Sequence, residues 1–353
     1  NTLATGSDAV LAIVIANGAS IDDGLSLAGD DIHVSGLSIL DFVDDAIQVD
    51  GERAVVEGSF LGVGPDGTTA GGNDYGVLVS STGTGVRIGS DGDGTGDAGE
   101  RNVISGNRVG LLVQGSGGSV RGNTIGTDAS GTAALGNEVG AVLNTSASSI
   151  VSNVVSGNTG RAIVIDGDDN AVTDNMVGTD PTGLVAIGNG NDGVRVEPSE
   201  RTSIVGNVIV QSGSDGIDLD NATDTIIEGN TIGAGIDGAT LGAMHRVGIR
   251  VEEGSTVRIG TDADGTDDAA EANLIPNSRF DALRVDEAGT SATILGNRIF
   301  GNDELATDLK SPVENGNDVT ANDADDADDG PSGLQNYPVI TAASLTPAGA
   351  DVA

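Results

Sequence analysis

Short segments of alternating apolar and variable residues recur along most of the chain. Each opens on Gly or Ala and continues apolar, variable, apolar, as in residues 76–79 (Gly-Val-Leu-Val) and 162–165 (Ala-Ile-Val-Ile). The same pattern stands at residues 46–49, 110–113, 140–143, 193–196, 216–219, 248–251 and 282–285. Alternation with a period of two is typical of strands with one buried face. The pattern therefore predicts a strand at each position, and no stretch keeps helical periodicity long enough to predict a helix.

A second short unit, Gly-Asn-x-apolar, follows most of these strands. Its clearest copies are residues 122–125, 206–209, 229–232 and 296–299, and Asn102, Asn153, Asn175 and Asn273 hold the same place before an apolar pair. A short unit repeated in this way indicates a solenoid. Because stacked coils rise by about 4.8 Å, asparagines at one corner can hydrogen-bond up the stack. We therefore predict a corner ladder of asparagines rather than catalytic residues.

The spacing from this asparagine to the next strand alternates between long and short. It is 17 residues from Asn123 to Gly140 and 9 residues from Asn153 to Ala162, and the alternation holds over eight coils. A folded-back loop is about 10 Å thick, roughly twice the rise of one coil, so such loops can stack only on every second coil. The sequence predicts an all-β fold, a single parallel β-solenoid of about ten coils, with a ridge of loops on alternate coils.

Three regions follow from these patterns. Residues 1–24 contain an apolar run and are expected to form an N-terminal strand or cap. Residues 25–310 form the predicted parallel β-helix, and residues 311–353 are expected to form an acidic C-terminal cap with a terminal strand or linker. Since the chain begins with Asn1, we expect a processed product or a fragment of a larger protein.

Composition restricts the function further. Fifty-four acidic residues against 15 basic ones give a formal charge of −39, which repels nucleic acid and anionic membranes. No run of 18 apolar residues is present, so we expect no membrane-spanning helix. The chain contains no cysteine, which excludes disulfides and thiolate metal sites. A surface of this charge is suited to bound cations.

Two acidic insertions, 171 residues apart, match at four positions. Their acidic residues are Asp91, Asp93, Asp97 and Glu100 in the first, and Asp262, Asp264, Asp268 and Glu271 in the second. Ca²⁺ takes six to eight oxygen ligands, and Gly-bearing loops rich in Asp supply them. The spacing differs from an EF-hand loop. We predict Ca²⁺ at these loops, with a solvated acidic loop as the alternative.

A third acidic cluster lies near the C-terminus. Its predicted ligands are Asp318, Asp323, Asp325 and Asp328. So many like charges in a short segment repel one another, and a bound cation would relieve that repulsion. We extend the Ca²⁺ prediction to this cluster.

Several motifs resemble one known family. Residues 122–128 (Gly-Asn-Thr-Ile-Gly-Thr-Asp), 101–107 (Arg-Asn-Val-Ile-Ser-Gly-Asn) and 334–339 (Leu-Gln-Asn-Tyr-Pro-Val) resemble the right-handed parallel β-helix repeat family of the pectate-lyase-like superfamily. The closer resemblance is to large secreted microbial surface proteins that repeat Gly-Asn-x-Ile-Gly-Thr-Asp. The resemblance implies a right-handed coil and an extracellular or cell-surface location.

Two kinds of function remain open. The first is structural: a calcium-stabilised rod, filament subunit or adhesin segment that self-associates or binds a surface glycan or protein. The second is a calcium-dependent polysaccharide lyase or glycoside hydrolase, an activity found among β-helix relatives. Residues for the second are Arg87, Arg121 and Arg258 as bases, or Asp215, Asp218 and Asp220 as paired carboxylates. We interpret all six as charged outward positions and expect a protein that is not an enzyme.

The two histidines of the chain carry little weight. His33 and His245 stand apart in the sequence, and neither lies within a recognisable metal-ligand spacing. We interpret both as ordinary surface or loop residues rather than metal ligands.

Overall fold

Three parallel β-sheets form one solenoid in the computed structural model of this chain. The structure describes residues 6–17, 21–239, 241, 245–287, 289–310, 330–334, 343–346 and 349–352. The eleven strands of sheet A are β1 Ile13–Ala16, β4 Leu37–Leu40, β7 Phe60–Leu61, β10 Val103–Ile104, β13 Thr124–Ile125, β16 Val154–Val155, β19 Met176–Val177, β23 Val208–Ile209, β27 Thr231–Ile232, β30 Leu274–Pro276 and β33 Arg298–Phe300.

The other two long sheets have the same order along the axis. The eleven strands of sheet B are β2 Leu25–Leu27, β5 Asp45–Val49, β8 Tyr75–Val79, β11 Val109–Val113, β14 Val139–Asn144, β17 Ile163–Asp166, β20 Val194–Val196, β24 Ile217–Asp220, β28 Ile249–Glu252, β31 Leu283–Asp286 and β34 Thr307–Lys310. The ten strands of sheet C are β3 His33–Ser35, β6 Val55–Glu57, β9 Arg87–Gly89, β12 Ser119–Arg121, β15 Ser149–Val151, β18 Ala171–Thr173, β22 Ser203–Val205, β26 Thr225–Glu228, β29 Thr256–Gly260 and β32 Ser291–Leu295.

Each coil passes through sheets B, C and A in turn, so the ten strands of sheet C mark ten coils within the described residues. Equivalent strands of successive coils pair in parallel without a shift, as in Leu111 with Ala141 and Ala141 with Ile163. All nine strands predicted from the alternating pattern lie in sheet B. The predicted fold class is confirmed, including the loops on alternate coils.

The core is aliphatic because each coil is narrow. Inward positions of all three sheets meet in one continuous cluster of Val, Ile, Leu and Ala. Within the part of the chain that the structure describes, Phe42 is the one aromatic ring of this cluster. Each fully buried Val, Leu or Ile contributes about 1.5–3 kcal/mol, so the coils are stable without the aromatic residues that the composition lacks.

The predicted asparagine ladder is confirmed at the corner between sheets C and A. Its members are Ser59, Asn102, Asn123, Asn153, Asn175, Asn207, Asn230, Asn273 and Asn297. Asn153 Oδ1 accepts hydrogen bonds from the backbone N–H of Asn123 at 2.9 Å and from its Nδ2 at 3.0 Å. The left-handed turn residue is the one before the asparagine, such as Gly122 with φ of 70°.

A second ladder, not predicted from the sequence, lies at the corner between sheets A and B. Its asparagines are Asn73, Asn107, Asn137, Asn158 and Asn189. In later coils Ser212, His245 and Ser278 take their place.

His245 corrects one sequence interpretation. It lies in a connection between strands, as expected, but it is fully buried rather than at the surface. Its Nδ1 accepts the backbone N–H of Ser212 at 3.2 Å, and its Nε2 lies 3.0 Å from the Ile209 carbonyl oxygen. His33 is exposed, as expected, and its Nε2 lies 2.9 Å from Glu57 Oε1.

The long connections form the predicted ridge. They follow β7, β13, β19 and β27, and short connections follow the strands between them. The Ala129 N–H donates to the Gly67 carbonyl at 2.8 Å, and the Ile236 N–H donates to that of Gly183 at 3.1 Å. Each loop therefore contacts a loop two coils away.

Small elements complete the described chain. Strand β1 pairs with β4 at one edge of sheet A. The 3-10 turn Pro331–Leu334 contacts β34, and its Ser332 N–H donates to the Thr290 carbonyl at 2.8 Å. The remaining strands are β21 Ser199–Glu200, β25 Ala222–Thr223, β35 Ala343–Thr346 and β36 Gly349–Val352, and the helices are α1 Asp97–Glu100 and α2 Asp268–Glu271. No helix among the described residues is long and apolar enough to cross a bilayer.

Candidate cation-binding sites

The two acidic insertions fold alike at the corner between sheets C and A. The first joins β9 to β10 in the third coil and contains α1, and the second joins β29 to β30 in the ninth coil and contains α2. The residue before each helix is left-handed, with φ of 84° at Gly96 and 57° at Asp267. These single helical turns were not predicted, because four residues are too few to show helical periodicity.

One glutamate closes each insertion. Glu100 Oε2 accepts the Asp91 N–H at 3.0 Å, and Glu271 Oε2 accepts the Asp262 N–H at 3.0 Å. The same oxygens lie 3.7 Å and 3.9 Å from the Nη1 atoms of Arg87 and Arg258, respectively. The insertions are therefore tied to sheet C by equivalent ion pairs.

Three carboxylates converge in each insertion. One oxygen from each of Asp91, Asp93 and Asp97 lies within 4.8 Å of the others. Asp97 Oδ1 is buried and has no hydrogen-bond partner, which is the arrangement that a bound cation would satisfy. The residues of the first insertion therefore fit Ca²⁺, although Glu100 is turned toward Arg87.

The second insertion uses a different set of carboxylates. Asp262, Asp268 and Glu271 converge within the same 4.8 Å, and Asp264 is not a member of this group. Asp264 Oδ1 accepts the Thr266 N–H at 2.6 Å, as Asp93 Oδ1 accepts that of Thr95 in the first insertion. Asp268 Oδ1 accepts a hydrogen bond from the Thr261 hydroxyl at 2.7 Å, so this oxygen is less available to a cation than Asp97 Oδ1 is. The third predicted cluster, Asp318, Asp323, Asp325 and Asp328, lies outside the described residues.

A further acidic group lies at the corner between sheets A and B, in the seventh and eighth coils. Asp192, Asp215 and Asp218 are only 3%, 2% and 5% exposed, and one oxygen of each lies within 4.8 Å of the others. Burial, with the nearby charges of Asp218 and Asp192, raises the pKa of Asp215 to about 6. Burial also raises the pKa of Asp218, against the opposing charge of Arg195.

The structure changes the interpretation of Asp215, Asp218 and Asp220, the aspartates considered above as paired carboxylates. Asp215 and Asp218 are deeply buried rather than ordinary outward charges, and Asp220 joins Asp218 on the Arg195 guanidinium. Asp192 was not singled out. Its place in the sequence could have identified it, because Asp192 directly precedes the opening residue of a strand. Asp45 and Asp281 occupy the same place before other strands.

The three arginines considered as lyase bases are spread over sheet C. Arg87 Nη2 lies 2.8 Å from Glu57 Oε2, and Arg258 Nη2 lies 2.8 Å from Glu228 Oε2. Arg121 lies beside Gly92 of the first insertion. A shallow groove of about 340 Å³ on sheet C is lined by Asp224, Thr225, Ile226, Thr256, Val257, Arg258, Ser291 and Thr293.

The stacked coils and corner ladders define the class of protein, a parallel β-solenoid. The chain belongs to the right-handed β-helix family, whose profile, described as a right handed beta helix region, matches residues 139–324. No curated protein matches its sequence.

Solved structures with a similar fold are only distantly related in sequence. The Dettilon tailspike protein gp208 is 18% identical, with a TM-score of 0.48 over 83% of this chain and 62% of its own. The A-module of the mannuronan C-5 epimerase AlgE4 from Azotobacter vinelandii is 16% identical, with a TM-score of 0.40 over 85% of this chain and 87% of its own. The chain thus spans less than two thirds of that tailspike.

Proposed function

We propose that this chain is a structural segment of an extracellular or cell-surface protein, a calcium-stabilised rod that serves as a filament subunit or adhesin segment. The observation that carries the proposal is the convergence of three carboxylates in each of two equally folded insertions. A chain with a formal charge of −39 repels itself, and bound Ca²⁺ at fixed points relieves that repulsion. Calcium sites of extracellular modules work at about 10⁻⁴–10⁻³ M.

Thermal unfolding in calcium and in chelator tests this proposal. We expect calcium to raise the melting temperature, because an ion at one hundred times its Kd stabilises a fold by about 2.7 kcal/mol per site. The variant Asp91→Asn/Asp97→Asn/Asp262→Asn/Asp268→Asn should lose the part of this rise that the two insertions supply, and its melting temperature should rise less than that of the unchanged protein. The variant Glu138→Gln/Asp303→Asn removes exposed acidic charge elsewhere and should keep it. An equal rise in all three proteins would contradict specific sites at the insertions.

Self-association is the part of the proposal that concerns the ends of the coil. Ile13 and Val14 on β1 are 58% and 46% exposed, and Leu295 and Phe300 near the other end are 43% and 45% exposed. Apolar edges at both ends favour head-to-tail contact between copies, which leads to filaments. Sedimentation of the protein with and without Ile13→Ser/Val14→Ser should show a concentration-dependent shift only in the unchanged protein. A monomer at high protein and calcium concentration would argue against the filament role.

The alternative is an enzyme that acts on a polysaccharide. The groove on sheet C favours it, because Arg258 and Asp224 line it together with three threonines and a serine. Arg258 already forms ion pairs with Glu228 and Glu271, so its positive charge is less available to bind an acidic sugar. Assays on pectate, alginate and neutral glycans with calcium present separate the two functions. Turnover that disappears in Arg258→Gln would favour the enzyme.

A further inference from the structure

The buried acidic group Asp192, Asp215 and Asp218 has no counterpart in either insertion. It lies at the corner between sheets A and B, whereas both insertions lie between sheets C and A. Each of its three residues is more than nine-tenths buried. Buried carboxylates normally have hydrogen-bond partners for their oxygens.

Two of the three aspartates have clear structural partners. Asp192 Oδ1 accepts the Asp215 N–H at 3.2 Å, and its Oδ2 accepts from Arg161 Nε at 3.3 Å. Asp215 Oδ1 accepts the Val247 N–H at 3.0 Å. These bonds tie successive coils together, and they explain why an aspartate precedes the strand in both coils.

Asp218 is different. Its Oδ2 pairs with the Arg195 guanidinium, but its Oδ1 is buried without a hydrogen-bond partner. An unpaired buried oxygen of a charged group is costly. Its carboxylate faces those of Asp192 and Asp215, with one oxygen from each within 4.8 Å of the others.

The surrounding arginines do not balance the acidic charge. Arg161 and Arg195 between them contact five carboxylates, namely Asp192, Glu197, Asp218, Asp220 and Glu252. Asp215 adds a sixth, and among the described residues no arginine forms an ion pair with it. The nearby Arg250 is itself shared between Glu252 and Asp286. The group therefore has an excess of negative charge in a place that water scarcely reaches.

We propose that Asp192, Asp215 and Asp218 hold one divalent cation of the calcium type. Hard oxygen ligands select such an ion, and ligands at about 2.4 Å on opposite sides of it stand about 4.8 Å apart, which the observed convergence allows. The ion would satisfy Asp218 Oδ1 and fasten the seventh coil to the eighth. This site is independent of the two insertions and of the rod function proposed above.

Calcium binding by a protein without its insertion sites tests the proposal. The background is the full chain with Asp91→Asn, Asp97→Asn, Asp262→Asn and Asp268→Asn. It is stripped with chelator, dialysed against about 1 mM CaCl₂, and its bound calcium is measured by mass spectrometry. Adding Asp218→Asn to this background should lower the bound calcium by one equivalent per chain. Adding Asp220→Asn should remove none, because Asp220 shares the Arg195 partner but lies outside the converging group. Equal calcium in all three folded proteins would overturn the proposal.

A second measurement needs no change at the site. Crystals of the background protein grown in calcium should show density between the three carboxylates, with ligand distances of about 2.3–2.6 Å. A water molecule there, or a direct hydrogen bond between two of the carboxyl groups, would overturn the proposal even if Asp218→Asn does not fold.

Discussion

The corner between sheets A and B differs between the two halves of the solenoid. In coils three to six the second ladder is made of asparagines, and the outward residues of sheet B are Leu78, Leu112, Val142 and Val164. In coils seven to nine the ladder positions are Ser212, His245 and Ser278, and Asn302 restores the asparagine in coil ten. The outward row of sheet B from β20 to β34 is Arg195, Asp218, Arg250, Arg284 and Asp308. The backbone register is unchanged across the boundary, where Val164 pairs with Arg195.

This difference distinguishes residues that stabilise the fold, such as the ladder asparagines, from buried charged residues that the fold accommodates at a cost in stability. In coils three to six each ladder asparagine bonds to an identical neighbour, and the outward row of sheet B is apolar. The second half buries charges and interrupts the ladder, which lowers stability unless another interaction compensates. Local departures from a self-consistent pattern tend to lie at functional sites. We therefore expect coils seven to ten to bind a ligand in addition to the cation proposed for the insertion in coil three.

The largest effect is expected at the charged boundary. Arg195→Met should lower the free energy of unfolding by about 3–5 kcal/mol, because it leaves the buried charge of Asp218 without its partner. Val164→Met, one coil earlier in the same outward row, should change it by less than about 1.5 kcal/mol. Chemical denaturation followed by circular dichroism measures both. Similar small losses in the two variants would mean that the charged row carries no special cost.

The next effect concerns the ladder. Asn137 Oδ1 accepts from Asn107 at 3.2 Å, and its Nδ2 donates to the Ile104 carbonyl at 3.0 Å. Asn137→Ala should destabilise by about 2–4 kcal/mol, since several buried groups lose their partners together. Ser212→Ala should stay within about 0.5 kcal/mol, because the Ser212 hydroxyl is buried without a partner. If both substitutions were equally harmful, the two halves of the ladder would be equivalent.

The smallest effect depends on pH. Burial lowers the pKa of His245 from 6.5 to about 4, against the weaker effect of its bond to Ile209. As pH falls from about 6.5 to 4, the unfolded chain takes up a proton that the folded chain refuses, so stability is lost over that window, by at most about 3 kcal/mol. His245→Asn should remove this loss. If the unchanged protein is the more stable one at neutral pH, the two free energies of unfolding should approach each other as the pH falls. If the variant is the more stable one at neutral pH, the difference between them should grow. A difference independent of pH between 7 and 4 would contradict the buried neutral histidine.

Much of the fold was predictable because it repeats. Strand alternation, the Gly-Asn corner and the spacing of the loops are each visible within one coil and recur in the next. The second ladder was missed because no apolar pair follows its asparagines. A usable signal was their constant place, three or four residues before a strand opens, as in Asn107 before Gly110 and Asn158 before Ala162.

The buried acidic group was harder to predict for a physical reason. Asp192 and Asp218 are separated by a whole coil in sequence and meet only once the register of β20 on β24 is fixed. Their burial also depends on the arginines that cover them, and sequence pattern gives no measure of that cover. The insertions were easier to recognise, because each set of acidic residues lies on one short segment and occurs twice.

The ridge has a consequence for how such a chain can change in length. Each loop hydrogen-bonds to a loop two coils away. Adding a long coil or removing a short one would bring two long connections onto neighbouring levels, where they do not fit, and adding a short coil or removing a long one would separate loops that are in contact. A pair of coils, such as the stretch from Asn123 to Asn175, leaves every contact with an equivalent neighbour. The solenoid can therefore be lengthened only by two coils at a time, whether by gene duplication or by design.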